Sequence, residues 1–179
     1  MKTSAVLLPL AAAALAGAVD ISSYQPAAGV DPAFRDFLVE FYTVMEDQIT
    51  NDTFTDFWPS DGLGEFIYNN CTFPGPANVL GIKQVLVPRM GDTLLWHLIR
   101  NASVIANTAG DKTYQVDTVI QTSTPTGNCS QAYGDARFTI LKDAKGVPRL
   151  TPHTGGLSIY NLTVTQPKSP SDIACALTR

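Results

Sequence analysis

The spacing of apolar residues changes at Gly91, and this change limits the architectures open to the chain. The sequence after Gly91 is rich in Val, Ile, Thr and Tyr, residues that favour extended strands. Turn-forming residues such as Ala109-Gly110-Asp111 and Asp143-Ala144-Lys145-Gly146 divide it. We therefore predict an antiparallel meander of four long strands, over residues 93–107, 113–124, 131–142 and 149–165.

The sequence before Gly91 predicts three helices and one short strand. Asp31 and Pro32 are favoured at a helix N-terminus, and apolar residues then recur at helical spacing, which predicts a helix over 32–49. The other predicted elements are a helix over 51–58, a strand over 65–68 and a helix over 78–90, which Pro88 kinks or shortens. We expect an α+β fold in which three N-terminal helices pack on a strongly curved, mostly antiparallel sheet and enclose a cone.

The N-terminus predicts export of the chain. Met1-Lys2, an apolar run over 5–15 and Ala16-Gly17-Ala18 form a signal-peptide pattern over residues 1–18. A flexible leader over 19–30, a domain over 31–165 and a C-terminal tail over 166–179 would follow. Five of the eight asparagines lie in N-x-[ST] sequons, so we expect a secreted glycoprotein modified at Asn51, Asn70, Asn101, Asn128 and Asn161.

The composition excludes several kinds of partner. The net charge is −4 and the twelve Lys and Arg are scattered, which is unlike a nucleic-acid-binding surface. The apolar run is too short for a membrane span, and no metal-binding cysteine or histidine cluster is evident. The three cysteines predict one disulfide, in which either Cys71 or Cys129 pairs with Cys175.

Residues 93–104, TLLWHLIRNASV, resemble a strand motif of the NTF2-like superfamily, in its SnoaL-like and scytalone dehydratase-like branch. The Gly110-Asp111 turn and the 81–85 segment resemble the flanking motifs, and the element order extends the resemblance over residues 32–165. It implies an NTF2-like cone and a secreted fungal member. Superfamily members include dehydratases, ketosteroid isomerases, polyketide cyclases and non-catalytic binding modules, and they often dimerise through the sheet face.

The resemblance also implies site residues for a cofactor-free reaction on a small hydrophobic, oxygenated molecule such as a polyketide or terpenoid. His97 matches the family's strand histidine and would act as the general acid/base, although residues 113–124 hold no second histidine. Tyr42 or Tyr68 would orient a carbonyl. The isomerase arrangement of a helix tyrosine with strand carboxylates would correspond to Tyr42, Asp117 and Asp135, of which Asp117 would be catalytic and Asp135 would bind substrate.

The remaining candidates are wall residues. Trp58 and Trp96 would line the pocket or fill the core, and His153 would face the cone or lie in a loop. Strand alternation places His97 on the same face as Asn101 unless a bulge intervenes, so a buried histidine conflicts with a glycosylated asparagine. Three functions remain open: an enzyme, a non-catalytic binding or effector module, and an oligomeric structural glycoprotein.

Overall fold

The computed structural model describes residues 19–50, 52–92, 94–124 and 129–165. The predicted signal peptide and C-terminal tail lie outside these residues, as do Asn51, Asn128 and Cys175. The described part has three helices and one curved sheet of seven strands. In chain order they are β1 Gln25–Pro26, α1 Ala33–Glu46, α2 Asp52–Thr55, β2 Glu65–Tyr68, β3 Cys71–Pro74, α3 Gly75–Leu86, β4 Leu94–Asn107, β5 Asp111–Ser123, β6 Cys129–Leu141 and β7 Leu157–Thr165.

The sheet has the strand order β1-β4-β5-β6-β7-β2-β3. Strands β4 to β7 pair antiparallel in sequence order, which confirms the predicted meander. Strand β2 joins β7 in parallel, and β3 pairs antiparallel with β2. The β2–β3 turn consists of Asn69 and Asn70, whose φ angles of 46° and 68° suit a two-residue hairpin.

The last strand was predicted to start too early. Residues 149–156 do not extend β7, which begins only at Leu157. His153 and Gly155 adopt positive φ angles of 59° and 66°, which turn the chain away from a strand. At Gly156 a Cβ atom would lie 2.1 Å from the carbonyl oxygen of Arg149, so the chain passes there only without a side chain.

An aromatic core fills the space between α1 and the sheet. The apolar face of α1 packs against the inner face of β5, β6 and β7, with Phe34 stacked on Tyr114 at 4.0 Å between ring centroids. Phe41 contacts both Phe138 and Tyr160, with centroids 5.1 and 4.8 Å apart. These rings fill one end of the interior, and a cavity lies at the other end, near the C-terminus of α1.

Asp31 anchors the start of α1 to the sheet instead of capping the helix with its side chain. Its carboxylate accepts hydrogen bonds from Lys112 Nζ and Tyr114 Oη, both at 2.5 Å. Partial burial raises the pKa of this carboxyl, but the hydrogen bonds from Lys112 and Tyr114 outweigh it and leave the pKa below its ordinary value. The N-terminal turn of α1 is thereby joined to β5.

Residues 19–27, which we call the N-terminal strap, are not the flexible leader that their composition suggests. Gln25 and Pro26 pair in parallel with β4, and Asp20 bridges to Leu98. Val19 is 5% exposed and belongs to the hydrophobic core. The strap therefore covers the outer edge of β4.

Candidate functional site

A cavity of about 440 Å³ opens between the end of α1, α3 and the strands. Among the described residues, no Asp, Glu, Lys or Arg side chain lines it. A mostly apolar wall with a few polar groups is typical of a site for small organic molecules. The lining residues are Met45, Tyr68, Val85, Leu86, Leu95, His97, Ile120, Thr122, Ser130, Gln131, Ala132, Leu162 and Val164.

His97 lies in the cavity wall and is 1% exposed. Its Nδ1 is 3.1 Å from Glu46 Oε1, and the same oxygen accepts the His97 backbone N–H at 2.6 Å. A carboxylate beside Nδ1 favours the neutral tautomer that carries its proton there. Nε2 is then the ring nitrogen that remains for a molecule in the cavity.

Tyr42 supports His97 from the core side. The two rings lie 4.3 Å apart between centroids, and Tyr42 Oη is 3.5 Å from Tyr160 Oη. Burial, together with Tyr160 and then Glu46, holds the pKa of the Tyr42 hydroxyl well above its usual range, and burial also raises the pKa of Tyr160. Both groups are therefore neutral phenols. Tyr42 does not line the cavity, so it does not have the substrate-facing position expected from sequence.

Three of the described residues that line the cavity carry a hydroxyl group. Tyr68, one of the two tyrosines named from the sequence, is on β2 in the cavity lining and is half-buried. Thr122 and Ser130 face each other across β5 and β6, with their oxygens 2.5 Å apart. Sequence reasoning missed this pair, because single hydroxyl residues in a Thr-rich strand carry no distinctive pattern.

A β-bulge at Arg100 resolves the conflict between His97 and Asn101. Ile99 pairs with Thr118, but Asn101 pairs with Asp117, so β4 has one extra residue between them. The extra residue reverses the alternation, and His97 faces the cavity while Asn101 is exposed on the outer face. Asn101 Nδ2 donates to Asp117 Oδ2 at 3.2 Å.

Asp117 and Asp135 face away from the cavity, contrary to the catalytic and substrate-binding roles predicted for them. They alternate with the inward-facing residues Val116 and Ala136 and pair with each other on the outer face. Asp135 accepts a hydrogen bond from Gln115 Nε2 at 3.0 Å and lies 3.5 Å from Arg137 Nε.

Two other sequons are also described. Asn161 pairs with Arg137 on the outer face of the sheet, where it is partly buried. Asn70 is exposed in the β2–β3 turn. The side chains of Asn70 and Asn101 thus have the exposure that glycosylation needs.

Trp58, Trp96 and His153 also lie outside the cavity lining. Trp58 is in the core, where its indole N–H donates to the Glu65 carbonyl at 3.0 Å. Trp96 alternates with His97 on β4 and donates to Gln121 Oε1. His153 lies in the β6–β7 connection, with Nδ1 2.9 Å from the Thr53 carbonyl and Nε2 3.1 Å from Glu40 Oε1. His153 therefore connects this loop to α1 and α2. Of the two positions expected for His153, facing the cone or in a loop, the structure has the loop position.

Among the cysteines, Cys71 is an exposed free thiol, and Cys129 is disulfide-bonded. Of the two pairings left open by the sequence, Cys129 with Cys175 stays as the prediction.

Within the described ranges no cluster of three or more His, Cys, Asp or Glu residues is arranged to hold a metal ion. None of the helices described is both long and apolar enough to cross a membrane.

No protein-family model matches the sequence, and no curated protein matches it. Several solved structures do. ActVI-ORFA from Streptomyces coelicolor is 12% identical, with a TM-score of 0.54 over 73% of this chain and 96% of that chain. A ketosteroid isomerase-like protein from Erwinia carotovora is 12% identical, with a TM-score of 0.53 over 75% of this chain and 95% of the other.

A third similar structure is described as an NTF2-like protein with a cystatin-like fold, from Novosphingobium aromaticivorans. It is 12% identical, with a TM-score of 0.53 over 76% of this chain and 82% of that chain. At such low identity, structural likeness carries the fold and not the function. The chain therefore has the fold of NTF2-like and SnoaL-like proteins.

Proposed function

We propose that the chain is a secreted, cofactor-free lyase or isomerase of the dehydratase or cyclase kind, with His97 as its acid/base group. The observation that carries this proposal is the His97–Glu46 pair in the wall of an apolar cavity. A neutral imidazole whose Nδ1–H is held by a carboxylate presents a basic Nε2, and the carboxylate stabilises the imidazolium that forms on protonation.

The proposed chemistry moves one proton. Nε2 of His97 takes a proton from a carbon next to a carbonyl, and the carbon–hydrogen electron pair enters the carbonyl as an enolate. The hydroxyls of Tyr68, Thr122 and Ser130 are the cavity groups that can donate to the enolate oxygen. The imidazolium returns the proton to another carbon in an isomerisation, or to a departing hydroxyl, which leaves as water, in a dehydration.

The cavity lining favours a neutral, oxygenated hydrophobic substrate such as a polyketide or terpenoid. Burying a charged group without a partner of opposite charge is unfavourable. In the part of the chain that the structure describes, His97 and the phenol of Tyr68 are the titratable groups that line this cavity. The volume of about 440 Å³ lies within the range of small-molecule sites, about 300–1,000 Å³.

A non-catalytic binding or effector module is the second candidate. Its support is the shortage of proton-transfer groups, because His97 has no second histidine beside it in the cavity lining. The two candidates share the cavity and differ only in whether His97 transfers a proton.

The two histidines of the chain allow a matched test, since His153 lies outside the cavity lining. We would screen a panel of neutral polyketide and terpenoid ketones and alcohols for binding and for turnover. Loss of a general acid/base lowers kcat about 10²–10⁴-fold, and we expect that for His97→Gln with binding largely kept. His153→Gln should retain wild-type turnover.

The outcomes separate the candidates. Tight binding without turnover, unchanged in His97→Gln, would establish the binding module and reject the enzyme. If no compound of this class binds the wild type, both candidates fail. An Ile120→Trp variant, which fills the cavity, should abolish any binding that occurs there.

Secretion and glycosylation form part of the proposal. They are supported by the signal-like residues 1–18 and by the exposure of Asn70 and Asn101. Glycans at Asn101 and Asn161 would stand on the outer sheet face and oppose a homodimer through that face. Mass spectrometry of protein secreted by a eukaryotic host, with and without enzymatic removal of N-glycans, tests occupancy at each site.

A further inference from the structure

We infer that the N-terminal strap, residues 19–27, is a positioning element for His97. The strap holds the bulge at Arg100 in place, and the bulge determines which face of β4 carries the histidine. The functional importance of this element rests on the proposed role of His97, but its effect on the ring is independent of any reaction.

The strap bonds to β4 on both sides of Arg100. On the N-terminal side, the Asp20 N–H donates to the His97 carbonyl at 3.2 Å, and the Asp20 carbonyl accepts the Ile99 N–H at 2.8 Å. On the C-terminal side, the Ala27 N–H donates to the Ala102 carbonyl at 2.8 Å. Residues 21–24 turn away from β4 between these bonds, where β4 has its extra residue.

Glu46 completes the hydrogen bonds along this edge. His97 directs both its N–H and its carbonyl to the side away from β5. The carbonyl accepts from Asp20, and the N–H donates to Glu46 Oε1 at 2.6 Å. In a parallel ladder that N–H would bond to a carbonyl of the neighbouring strand. The carboxylate takes this position, so the strap and Glu46 together fix the main chain of His97.

Without the bulge, His97 would lie on the opposite face of β4. A shift of one residue moves every side chain of a strand segment to the opposite face. Ala102 and Ile99 are both in the core and lie three positions apart, which is compatible only with a bulge between them. If the segment before Arg100 slipped, His97 would leave the cavity wall and Trp96 would enter it. The strap opposes this slip because it bonds to both segments.

Histidine ring signals in NMR spectra provide the test, because the chain has only two histidines. In protein labelled with ¹⁵N at histidine, His97→Gln and His153→Gln assign the two sets of signals. Asp20→Pro removes the N–H that bonds to the His97 carbonyl. Ser22→Pro is the control, because it removes the Ser22 N–H that donates to Asp20 Oδ1 at 2.9 Å, a bond that Asp20→Pro also loses, but it keeps the Asp20 N–H. Position 22 is the second position of the 21–24 turn, where proline is favoured.

In the wild type we expect His97 to show the tautomer with the proton on Nδ1. In Asp20→Pro its ring signals should move towards those of an exposed histidine, and the Ile99 amide should exchange about five- to tenfold faster, as expected for one lost hydrogen bond. Ser22→Pro should leave His97 unchanged. Unchanged His97 signals despite faster exchange at Ile99 would overturn the inference.

A milder variant covers the case in which Asp20→Pro does not fold. Val19→Ser weakens strap docking without changing the backbone, and should produce a smaller shift in the same direction at His97 but none at His153. An equal shift at both histidines, or none at His97 when Ile99 exchanges faster, rejects the strap's role. These signals need no substrate, so the inference can fail while the proposed function stands, and the reverse.

Discussion

Because of the buried phenols of Tyr42 and Tyr160, the free energy of unfolding should decrease at alkaline pH. Burial raises the pKa of both hydroxyls above the ordinary value of 10. In the unfolded chain these tyrosine hydroxyls have a pKa of about 10. Because their pKa is higher in the folded state, their contribution to the free energy of unfolding is complete below pH 10. The contribution decreases as pH rises further, because only the unfolded chain then releases the protons.

We predict that replacing one of these phenols reduces the alkaline loss of stability. Tyr42→Phe should lose about 1 kcal/mol of unfolding free energy at pH 8, from its weak hydrogen bond to Tyr160. Between pH 10 and 11 the free energy of unfolding of the variant should decrease less than that of the wild type. Denaturant unfolding at several pH values measures this, with the partly exposed Tyr133→Phe as control. Equal alkaline slopes for Tyr42→Phe and wild type would contradict the prediction.

At the same scale, the sequence indicated some site residues and obscured others. His97 came from the resemblance, and its inward orientation required the bulge that the alternation argument had named. Asp117 was expected to face the cavity but lies on the outer face. Its alternation with the apolar, buried Val116 already indicated the outer face. Glu46 had no signal, because the end of a helix and the strand residue that it meets are 51 positions apart in sequence.

At the scale of elements, strong periodicity predicted the long strands, whereas two of the short strands were missed. Strands β4, β5 and β6 begin and end within a few residues of their predicted positions. Strand β2 has the predicted bounds 65–68, but β1 and β3 were not predicted. The two residues of β1 cannot show an alternation, and β3 is short, mostly exposed and ends in proline. Helix α3 starts at Gly75 instead of 78, since Pro76 suits a first helical turn, and it ends before Pro88.

Two glycines give a matched prediction about packing within elements. A Cβ atom at Gly134 in β6 would lie 2.5 Å from Thr118 Oγ1 and 3.2 Å from Leu162 Cδ1, whereas one at Gly81 in α3 would meet nothing within 4 Å. Gly134→Ala should therefore lower the unfolding free energy by about 1–3 kcal/mol. Gly81→Ala should raise it by about 0.5–1 kcal/mol, because alanine favours the helix. Thermal and denaturant unfolding of both variants measures these changes, and effects of the same sign would contradict the assignment.

At the scale of the whole molecule, side chains from distant elements tie the cavity wall together. Lys83 of α3 is buried, and its Nζ donates to the carbonyls of Asp47 and Thr50, at 2.6 and 2.8 Å. This lysine binds the chain that follows α1 to α3, and so holds Glu46 near the cavity. Burial lowers the pKa of Lys83, although Asp47 opposes the shift.

The disulfide of Cys129 acts at this same scale, because Cys129 begins β6 directly before the cavity residue Ser130. We predict that its partner is Cys175 and that the bond fixes the C-terminal part of the chain beside the cavity. The folded, unreduced protein should then react with one equivalent of an alkylating reagent, at Cys71, and Cys71→Ser should react with none. Peptide mapping without reduction identifies the linked pair.

Removing this bond should cost about 2–4 kcal/mol of unfolding free energy, the usual range for a disulfide. Cys129→Ser and Cys175→Ser should lose the same amount, and the double variant no more than either, because each substitution removes one shared bond. Cys71→Ser is the control and should keep wild-type stability. Unequal losses in the two single variants, or additive losses in the double variant, would show that the two cysteines act separately and that Cys129 has another partner.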